Sequence, residues 1–341
     1  MKHIVLLVPA LLDAESYLEA EGVRRFEALE TLLSRATKQP VKEDSLSALL
    51  AKLFAYQPPL HEDMPVAALG RLIDDEKKPD GYWLRADPVH LAADQRSLNL
   101  LDINNFSLTQ HDALALAACV HPTFKEMGWE LEVPVPSRWY VKLPDKPKIR
   151  TSELYSVIGR DIQGFMPSGE DAPTWHRIMN ELQMCLHNAD INTMRSERRE
   201  LVVNSLWLWG SGSLPALQER TWSRVYSDEN CSMGLSMLSN TPCFALPESA
   251  DELVNEGDDG HLLVVMSDYY TRLLDSSQAR QLLNRFENNW CQTLLLGLRE
   301  NSVQSLRIVT RNTEYTIKRS ALRKFWRKTR SLDHFAGHFS S

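Results

Sequence analysis

Apolar residues near the start of the chain recur in two periods, which predict a strand followed by helices. Residues 4–8 (IVLLV) form a continuous aliphatic run, as in parallel strands that are covered on both faces. Residues 21–35 then carry apolar side chains three and four positions apart, which is the spacing of one helix face. Residues 45–56 repeat this spacing, with Asp44 or Ser45 as the candidate N-cap.

The last third of the chain returns to the same alternation. Residues 261–266 and 306–310 have the pattern of buried strands, and residues 314–317 that of a shorter strand. Residues 276–299 have the apolar spacing of one long amphipathic helix, and residues 321–328 that of a basic helix. Strand–helix alternation at both ends of the chain predicts a mostly parallel sheet with helices on both faces.

The middle of the chain has a different pattern, with prolines and short strands. Strands are predicted at residues 82–86, 98–101 and 139–143. A helix is predicted from Ser107 through Val120, with Thr109 and Asp112 paired near its start. We therefore predict an inserted α+β region at residues 76–199, between the two parts of an α/β core at residues 1–75 and 200–341.

A buried strand is predicted at residues 201–209, directly before the turn Gly210-Ser211-Gly212. We expect this strand in the core sheet. In open α/β sheets, ligands bind beyond the carboxyl ends of the strands, so the turn predicts the rim of a pocket.

Composition narrows the class of protein. Hydrophobic residues make up 43% of the chain and charged residues 24%, which is typical of a soluble globular protein. A net charge of −7 argues against nucleic acid or an anionic membrane as a partner. No apolar run approaches the roughly 20 residues that cross a bilayer. The five cysteines are scattered and contain no C-x-x-C, which predicts reduced thiols and a cytoplasmic location.

Polar residues flank and interrupt the strand at 201–209. Asn192 and Arg195 precede it and Asn204 lies within it. Arginine is suited to bidentate recognition of phosphate or carboxylate, whereas a buried asparagine must find hydrogen-bond partners. A site for a small anion and an internal polar network fit this pattern equally well, and both remain open.

Two other groups of charged residues have simpler interpretations. Arg85, Asp87 and His90 surround Pro88, which imposes an extended backbone; an Arg–Asp pair at a turn is favoured over a metal or anion site. Residues 318–330 carry seven lysines and arginines and could contact nucleic acid. In an acidic chain, a solvated helix face packed through its aromatic residues is favoured.

Three segments resemble a bacterial family of regulatory proteins of the RpfE type, also described as predicted cofactor-independent phosphoglycerate mutases. They are DPVHL at residues 87–91, residues 175–195, and NSLWLWG at residues 204–210. The resemblance implies an alkaline-phosphatase-like α/β core with an inserted domain. Enzymes of that superfamily use two divalent metals and a nucleophilic serine, and their conserved asparagines and arginine correspond to Asn192, Arg195 and Asn204.

The resemblance also predicts that catalytic groups are replaced. The first strand ends in Val8-Pro9-Ala10, where the relatives have a metal-binding aspartate. Leu46 aligns with the nucleophile, and Ser45 or Ser47 could replace it only after a shift in register. Later, Arg272 aligns near a metal-binding histidine, and arginine cannot hold a cation.

We therefore predict a cytoplasmic, catalytically degenerate phosphoglycerate-mutase-like protein with a regulatory role. It would bind a small anionic metabolite or a protein partner, without a metal or another cofactor. The candidate anion contacts are Asn192, Arg195, Asn204 and Arg272.

The alternative is an active metal-dependent phosphoglycerate mutase or phosphohydrolase with relocated ligands, holding two Mn or Zn ions. Its candidate site residues are Arg85, Asp87, His90, Asp161, His261 and Asp268. Clustering of four such groups would favour the enzyme, and scatter would favour the binding protein.

Overall fold

The computed structural model describes residues 1–12, 25–43, 45–75, 77–94, 97–101, 107–217, 220–255, 259–267, 276–323 and 327–335. The strands are β1 (Lys2–Leu7), β2 (Thr37–Pro40), β3 (Tyr82–Ala93), β4 (Leu98–Leu101), β5 (Glu130–Val135), β6 (Arg138–Leu143), β7 (Ile149–Arg150), β8 (Ser168–Gly169), β9 (Ser205–Gly212), β10 (Arg224–Ser227), β11 (Cys243–Phe244), β12 (Gly260–Val265), β13 (Val303–Val309) and β14 (Thr313–Lys318). The α-helices are α1 (Glu27–Arg35), α2 (Leu46–Leu53), α3 (Val66–Asp74), α4 (Gln110–Glu126), α5 (Leu154–Val157), α6 (Ala172–His187), α7 (Asp190–Glu197), α8 (Asn230–Leu238), α9 (Asp251–Asn255), α10 (Ser276–Phe286), α11 (Gln292–Glu300) and α12 (Arg319–Leu322).

The chain divides into two compact units. The first unit consists of Met1–Ala55 and Leu217–Ser341, and the second is the intervening segment Tyr56–Ala216.

Among the helices that the structure describes, none combines the length and hydropathy that crossing a membrane requires. All five cysteines are free thiols, as predicted, while the cytoplasmic location stays a prediction.

The first unit is built on a seven-stranded sheet in the order β11-β10-β12-β1-β13-β14-β2. The strands from β11 to β13 run parallel, and β14 and β2 are antiparallel additions at one edge. The four residues Ile4–Leu7 of the central strand β1 are each at most 3% exposed. Because successive side chains of a strand point to opposite faces, both faces of the sheet are covered. The predicted α/β class is confirmed.

The long helix predicted at residues 276–299 is interrupted. A π-helical turn, Glu287–Cys291, separates α10 from α11. Its first residue places a carboxylate at the start of α1, where Glu287 accepts hydrogen bonds from the backbone N–H groups of Ala28 (2.7 Å) and Leu29 (2.9 Å). These N–H groups have no partner within the helix, so Glu287 acts as a cap from a distant segment. Burial raises the pKa of Glu287, even though both hydrogen bonds favour its charged form.

The second unit contains an antiparallel sheet in the order β4-β3-β6-β5, with β9 also paired to β3. The strand predicted at residues 82–86 is much longer, since β3 continues through Pro88 to Ala93. Helices α4 and α6 pack against each other, and α3 and α6 contact β9. The second unit thus combines helices with an antiparallel sheet, while the predicted insertion at residues 76–199 stays a prediction.

The expectation that residues 201–209 form a strand of the parallel sheet is wrong. This segment is β9, which pairs antiparallel with β3 from Val89↔Ser205 to Trp83↔Gly212. The glycines predicted as a turn belong to the strand, whose eight residues are all buried. The rule that ligands bind beyond the carboxyl ends of parallel strands therefore does not apply to Gly210–Gly212.

Candidate functional site

Asn192, one of the predicted anion contacts, is fully engaged in backbone hydrogen bonds. Its Nδ2 donates to the carbonyl oxygens of Leu186 (2.7 Å) and Val203 (2.8 Å). Its Oδ1 accepts from the N–H of Val203 at 3.0 Å. The amide therefore ties the end of α6 to the segment that leads into β9.

Arg195 is fully buried in a network of charges. Its Nη1 donates to Asp112 Oδ2 at 2.8 Å, and Arg198 Nη2 donates to the same oxygen at 2.8 Å. Its Nε donates to the carbonyl of Leu201 at 2.9 Å. Burial disfavours the charge of Asp112, but the hydrogen bond from Arg195 and the charge of Arg198 outweigh it and lower the pKa of Asp112. Arg195 Nη2 is buried without a hydrogen-bond partner among the described residues.

Asn204 continues the pairing of β9 with β3 through its side chain. Its Oδ1 accepts the N–H of Leu91 at 2.7 Å, and its Nδ2 donates to the carbonyl of Leu91 at 2.9 Å. It also lines a groove of about 590 Å³ that includes Gln183 and His187 of α6. The contacts of Asn192, Arg195 and Asn204 thus favour the internal network over anion binding. Arg272 lies outside the described residues.

Arg85 and Asp87 form a buried ion pair inside β3, and not at a turn as predicted. Arg85 Nη2 lies 2.7 Å from Asp87 Oδ1, and the indole Nε1 of Trp209 donates to Asp87 Oδ2 at 2.7 Å. Burial raises the pKa of Asp87, and the positive charge of Arg85 opposes that shift. The ion pair lies within β3, and Asp87 joins it to Trp209 of β9. Both charged side chains are buried, so a ligand cannot reach them.

The remaining candidates of the enzyme alternative have separate local roles. His90 Nδ1 contacts the carbonyl of Val202 at 2.8 Å, and Asp161 caps a 3₁₀ turn through the N–H of Gln163. His261 belongs to the first unit, where its ring stacks on that of His3 with 4.8 Å between centroids. Asp268 lies outside the described residues. Within the described part of the chain, no three His, Cys, Asp or Glu side chains are arranged to hold a metal ion.

The carboxyl edge of the parallel sheet is the usual place for a ligand in such folds. At its centre, β1 continues into Val8, Ala10, Leu11 and Leu12, which are all buried in the hydrophobic core of the first unit. Met266, directly after β12, is also buried in this core. The middle of this edge is therefore apolar where the structure describes it.

Polar groups at the two sides of this edge stabilise local structure. Glu229 follows β10 and caps α8, accepting the N–H groups of Cys231 (2.8 Å) and Ser232 (2.7 Å). Thr310 follows β13, and its hydroxyl donates to the carbonyl of Thr313 at 2.9 Å. These contacts explain why the residues are polar without requiring a ligand.

Comparisons with known proteins give partial likenesses. No protein-family model matches the chain. A segment of 63 residues, 18% of this chain, is 33% identical to "Probable 2,3-bisphosphoglycerate-independent phosphoglycerate mutase" of Geobacter sulfurreducens and spans only 16% of that protein.

Two solved structures can be compared with this chain over most of its length. The cofactor-independent phosphoglycerate mutase from Thermoplasma acidophilum DSM 1728 has a TM-score of 0.48 and 16% identity, covering 99% of this chain and 95% of that one. The PH0037 protein from Pyrococcus horikoshii has a TM-score of 0.52 and 12% identity, covering 93% of this chain and 87% of that one. The fold of this chain is therefore shared with the PH0037 protein.

Proposed function

We propose that this chain is a phosphoglycerate-mutase-like protein that binds a small anionic metabolite in a regulatory role and does not catalyse mutase chemistry. Such a role agrees with the regulatory family of the RpfE type that its sequence resembles. The observation that supports the proposal is the apolar environment after β1, the central strand of the parallel sheet.

Two-metal phosphoryl transfer needs carboxylate and imidazole ligands around both cations. The resemblance places an aspartate ligand at the end of the first strand, where this chain has Val8-Pro9-Ala10. Val8 is 0% exposed and Ala10 is 1% exposed, and both pack in the core of the first unit. A dication beside these aliphatic side chains would lose its hydration without gaining ligands from them.

The position of the nucleophile gives a second argument. Leu46, which aligns with the serine nucleophile, is 3% exposed at the start of α2. The neighbouring Ser45 caps this helix, with its Oγ accepting the N–H of Ala48 at 3.2 Å. A serine nucleophile needs a hydroxyl that a base or a metal activates, whereas the hydroxyl of Ser45 is engaged as a helix cap.

The test is the metal content of the full-length protein after incubation with Mn and Zn, together with an assay of phosphoglycerate isomerisation. We expect no stoichiometric metal and no isomerisation. About two tightly bound metals per chain and measurable turnover would instead establish the enzyme alternative.

A matched pair of variants strengthens this test. Asp268→Asn removes an acidic candidate of the enzyme alternative that lies close in sequence to Arg272, whereas Asp145→Asn removes an exposed carboxylate that is not a candidate. Loss of metal and turnover in the first variant alone would locate a working site and refute the proposal.

A further inference from the structure

The first unit contains a basic groove of about 830 Å³ between the last turn of α1, the edge strand β2 and residues 327–335. We call it the basic groove. Its volume falls in the range of small-molecule sites, roughly 300–1,000 Å³. None of the described side chains that line it is acidic. Its basic and imidazole side chains are Lys38, Arg327, Lys328, Arg330 and His334.

The walls of the basic groove are held together by defined hydrogen bonds. Arg327 Nη1 donates to the carbonyl oxygens of Arg35 (3.4 Å) and Ala36 (3.3 Å), which lie at the negative, carboxyl end of α1. The backbone N–H of Arg330 donates to Ser34 Oγ at 2.9 Å. The segment that carries three of the cations is thus fixed against α1, and this reduces the entropic cost of ordering the site around a ligand.

Lys38 is oriented by aromatic rings. Its Nζ lies 4.4 Å from the ring centroid of Phe335 and 5.5 Å from that of Tyr315. A cation over aromatic faces is stabilised by the ring quadrupole. The ammonium group therefore stays at the groove although no carboxylate of the lining neutralises it.

The cations of the basic groove are close enough to repel one another. Burial, and then the charge of Arg330, lower the pKa of Lys38. Desolvation, and then the charges of Arg330 and Lys38, lower the pKa of His334, which also contacts the Arg330 guanidinium. The carboxylate of Glu30 on α1 is not part of the lining; it pairs with Arg25 and accepts the backbone N–H of Leu332 at 3.2 Å. An anion in the groove would relieve this repulsion.

We propose that the basic groove binds a small anionic ligand through its phosphate or carboxylate oxygens, with Lys38, Arg330 and His334 contacting it. This inference rests on the proposed function, for which it names the binding site. Guanidinium and ammonium groups give charge-assisted hydrogen bonds to such oxygens. The groove is a concave site of small-molecule size in a chain of net charge −7, which favours a small anion over the extended backbone of a nucleic acid.

The experiment is isothermal titration calorimetry of the full-length protein with inorganic pyrophosphate and, separately, with citrate. Pyrophosphate tests phosphate recognition and citrate tests carboxylate recognition. Arg330→Gln and Lys38→Met each remove one charge, and Lys38→Met keeps an apolar chain against Phe335. We expect each variant to weaken binding by about tenfold or more, the loss of one charge-assisted contact. Arg299→Gln, which removes an exposed charge at the end of α11, is the matched control and should bind like the wild type.

Proton uptake gives an independent readout. Because the anion favours the charged imidazole, binding at a pH above the lowered pKa of the free imidazole and below its raised pKa in the complex should take up a proton, and His334→Gln should abolish the uptake that comes from this group. The uptake is measured from the heat of binding in buffers with different ionisation enthalpies.

Three results would overturn the inference. The first is that neither pyrophosphate nor citrate binds. The second is that the wild type and both charge variants bind a probe with equal affinity. The third is that the protein prefers a single-stranded oligonucleotide and that the same variants abolish this binding. The second result would exclude the basic groove as the binding site and would leave the proposed regulatory role intact. Bound metals with isomerase turnover would overturn the proposed role while leaving the calorimetry of the groove unaffected.

Discussion

At the scale of single residues, Asp87 is the clearest buried charge of the second unit. Its side chain is fully buried, and its charge partner among the described residues is Arg85, which is itself 6% exposed. Asp87→Asn would leave the Arg85 guanidinium buried without a counter-charge. We expect a loss of about 3–5 kcal/mol in the free energy of unfolding, measured by urea denaturation.

The control for Asp87→Asn is an exposed ion pair in the same unit. Arg177 and Glu181 lie 3.2 Å apart on α6 with solvent-exposed side chains. Glu181→Gln should cost less than about 1 kcal/mol, because water screens such pairs. Equal losses in the two variants would contradict the importance of burial at Asp87.

His3 provides a pH-dependent contribution at the same scale. Burial, and then the nearby His261, lower the pKa of His3 below 6.5. The unfolded chain therefore binds a proton at His3 more readily than the folded chain. The contribution to stability is complete above about pH 6.5 and is lost as the pH falls from there through the lowered folded pKa.

We therefore expect the midpoint of urea unfolding of the first unit to decrease on acidification below that value. His3→Gln should reduce this dependence, whereas His121→Gln, at an exposed position of α4, should retain it. A pH profile that His3→Gln leaves unchanged would show that other groups cause it.

At the scale of elements, the glycines of β9 permit close packing within the second unit. A Cβ built on Gly212 would lie 2.6 Å from Pro65 Cβ and 3.1 Å from Pro65 Cα. Gly212→Ala should therefore force the backbone apart and destabilise the second unit by about 1–3 kcal/mol. Gly164→Ala is the control, since a Cβ there meets nothing within 4 Å. Similar melting temperatures of the two variants would refute the steric argument.

Local signals predicted several element boundaries correctly. Ser45, one of the two predicted candidates, caps α2, because a cap depends on residues only three positions apart. Thr109 caps α4 through the N–H of Asp112, two residues after the predicted start at Ser107. No local pattern predicts the π-helical turn that begins at Glu287. The carboxylate of Glu287 accepts the N–H groups of Ala28 and Leu29, which belong to a helix distant in sequence. The basic helix predicted at 321–328 also differs, because α12 ends at Leu322 and Arg327 is fixed by carbonyl groups of α1 instead.

At the scale of the whole molecule, the second unit is one continuous segment with its own sheet. The three strands that pair with β3, namely β4, β6 and β9, all lie within Tyr56–Ala216. We expect a fragment of residues 56–216 to fold alone, with dispersed amide signals in an NMR spectrum and a cooperative thermal transition.

The fragment of residues 76–199, which the sequence delimited as the insertion, is the informative comparison. It lacks β9 and α3, so one edge of β3 would lose its partner and the buried side chains of β9 would be missing. We expect this fragment to remain unfolded. A folded 76–199 fragment would instead support the boundaries predicted from the sequence.

The sequence by itself determined the class of the fold and the local ends of several helices. Aliphatic runs and helical periodicity are properties of neighbouring residues, and they need no knowledge of long-range pairing. Only the tertiary structure decided that β9 pairs with β3, more than a hundred residues earlier, since the partner of a strand is not written in its own pattern. The basic groove has the same origin. The sequence identified the basic run at its end, but Lys38 meets Phe335 only because folding brings β2 and the C-terminal segment together.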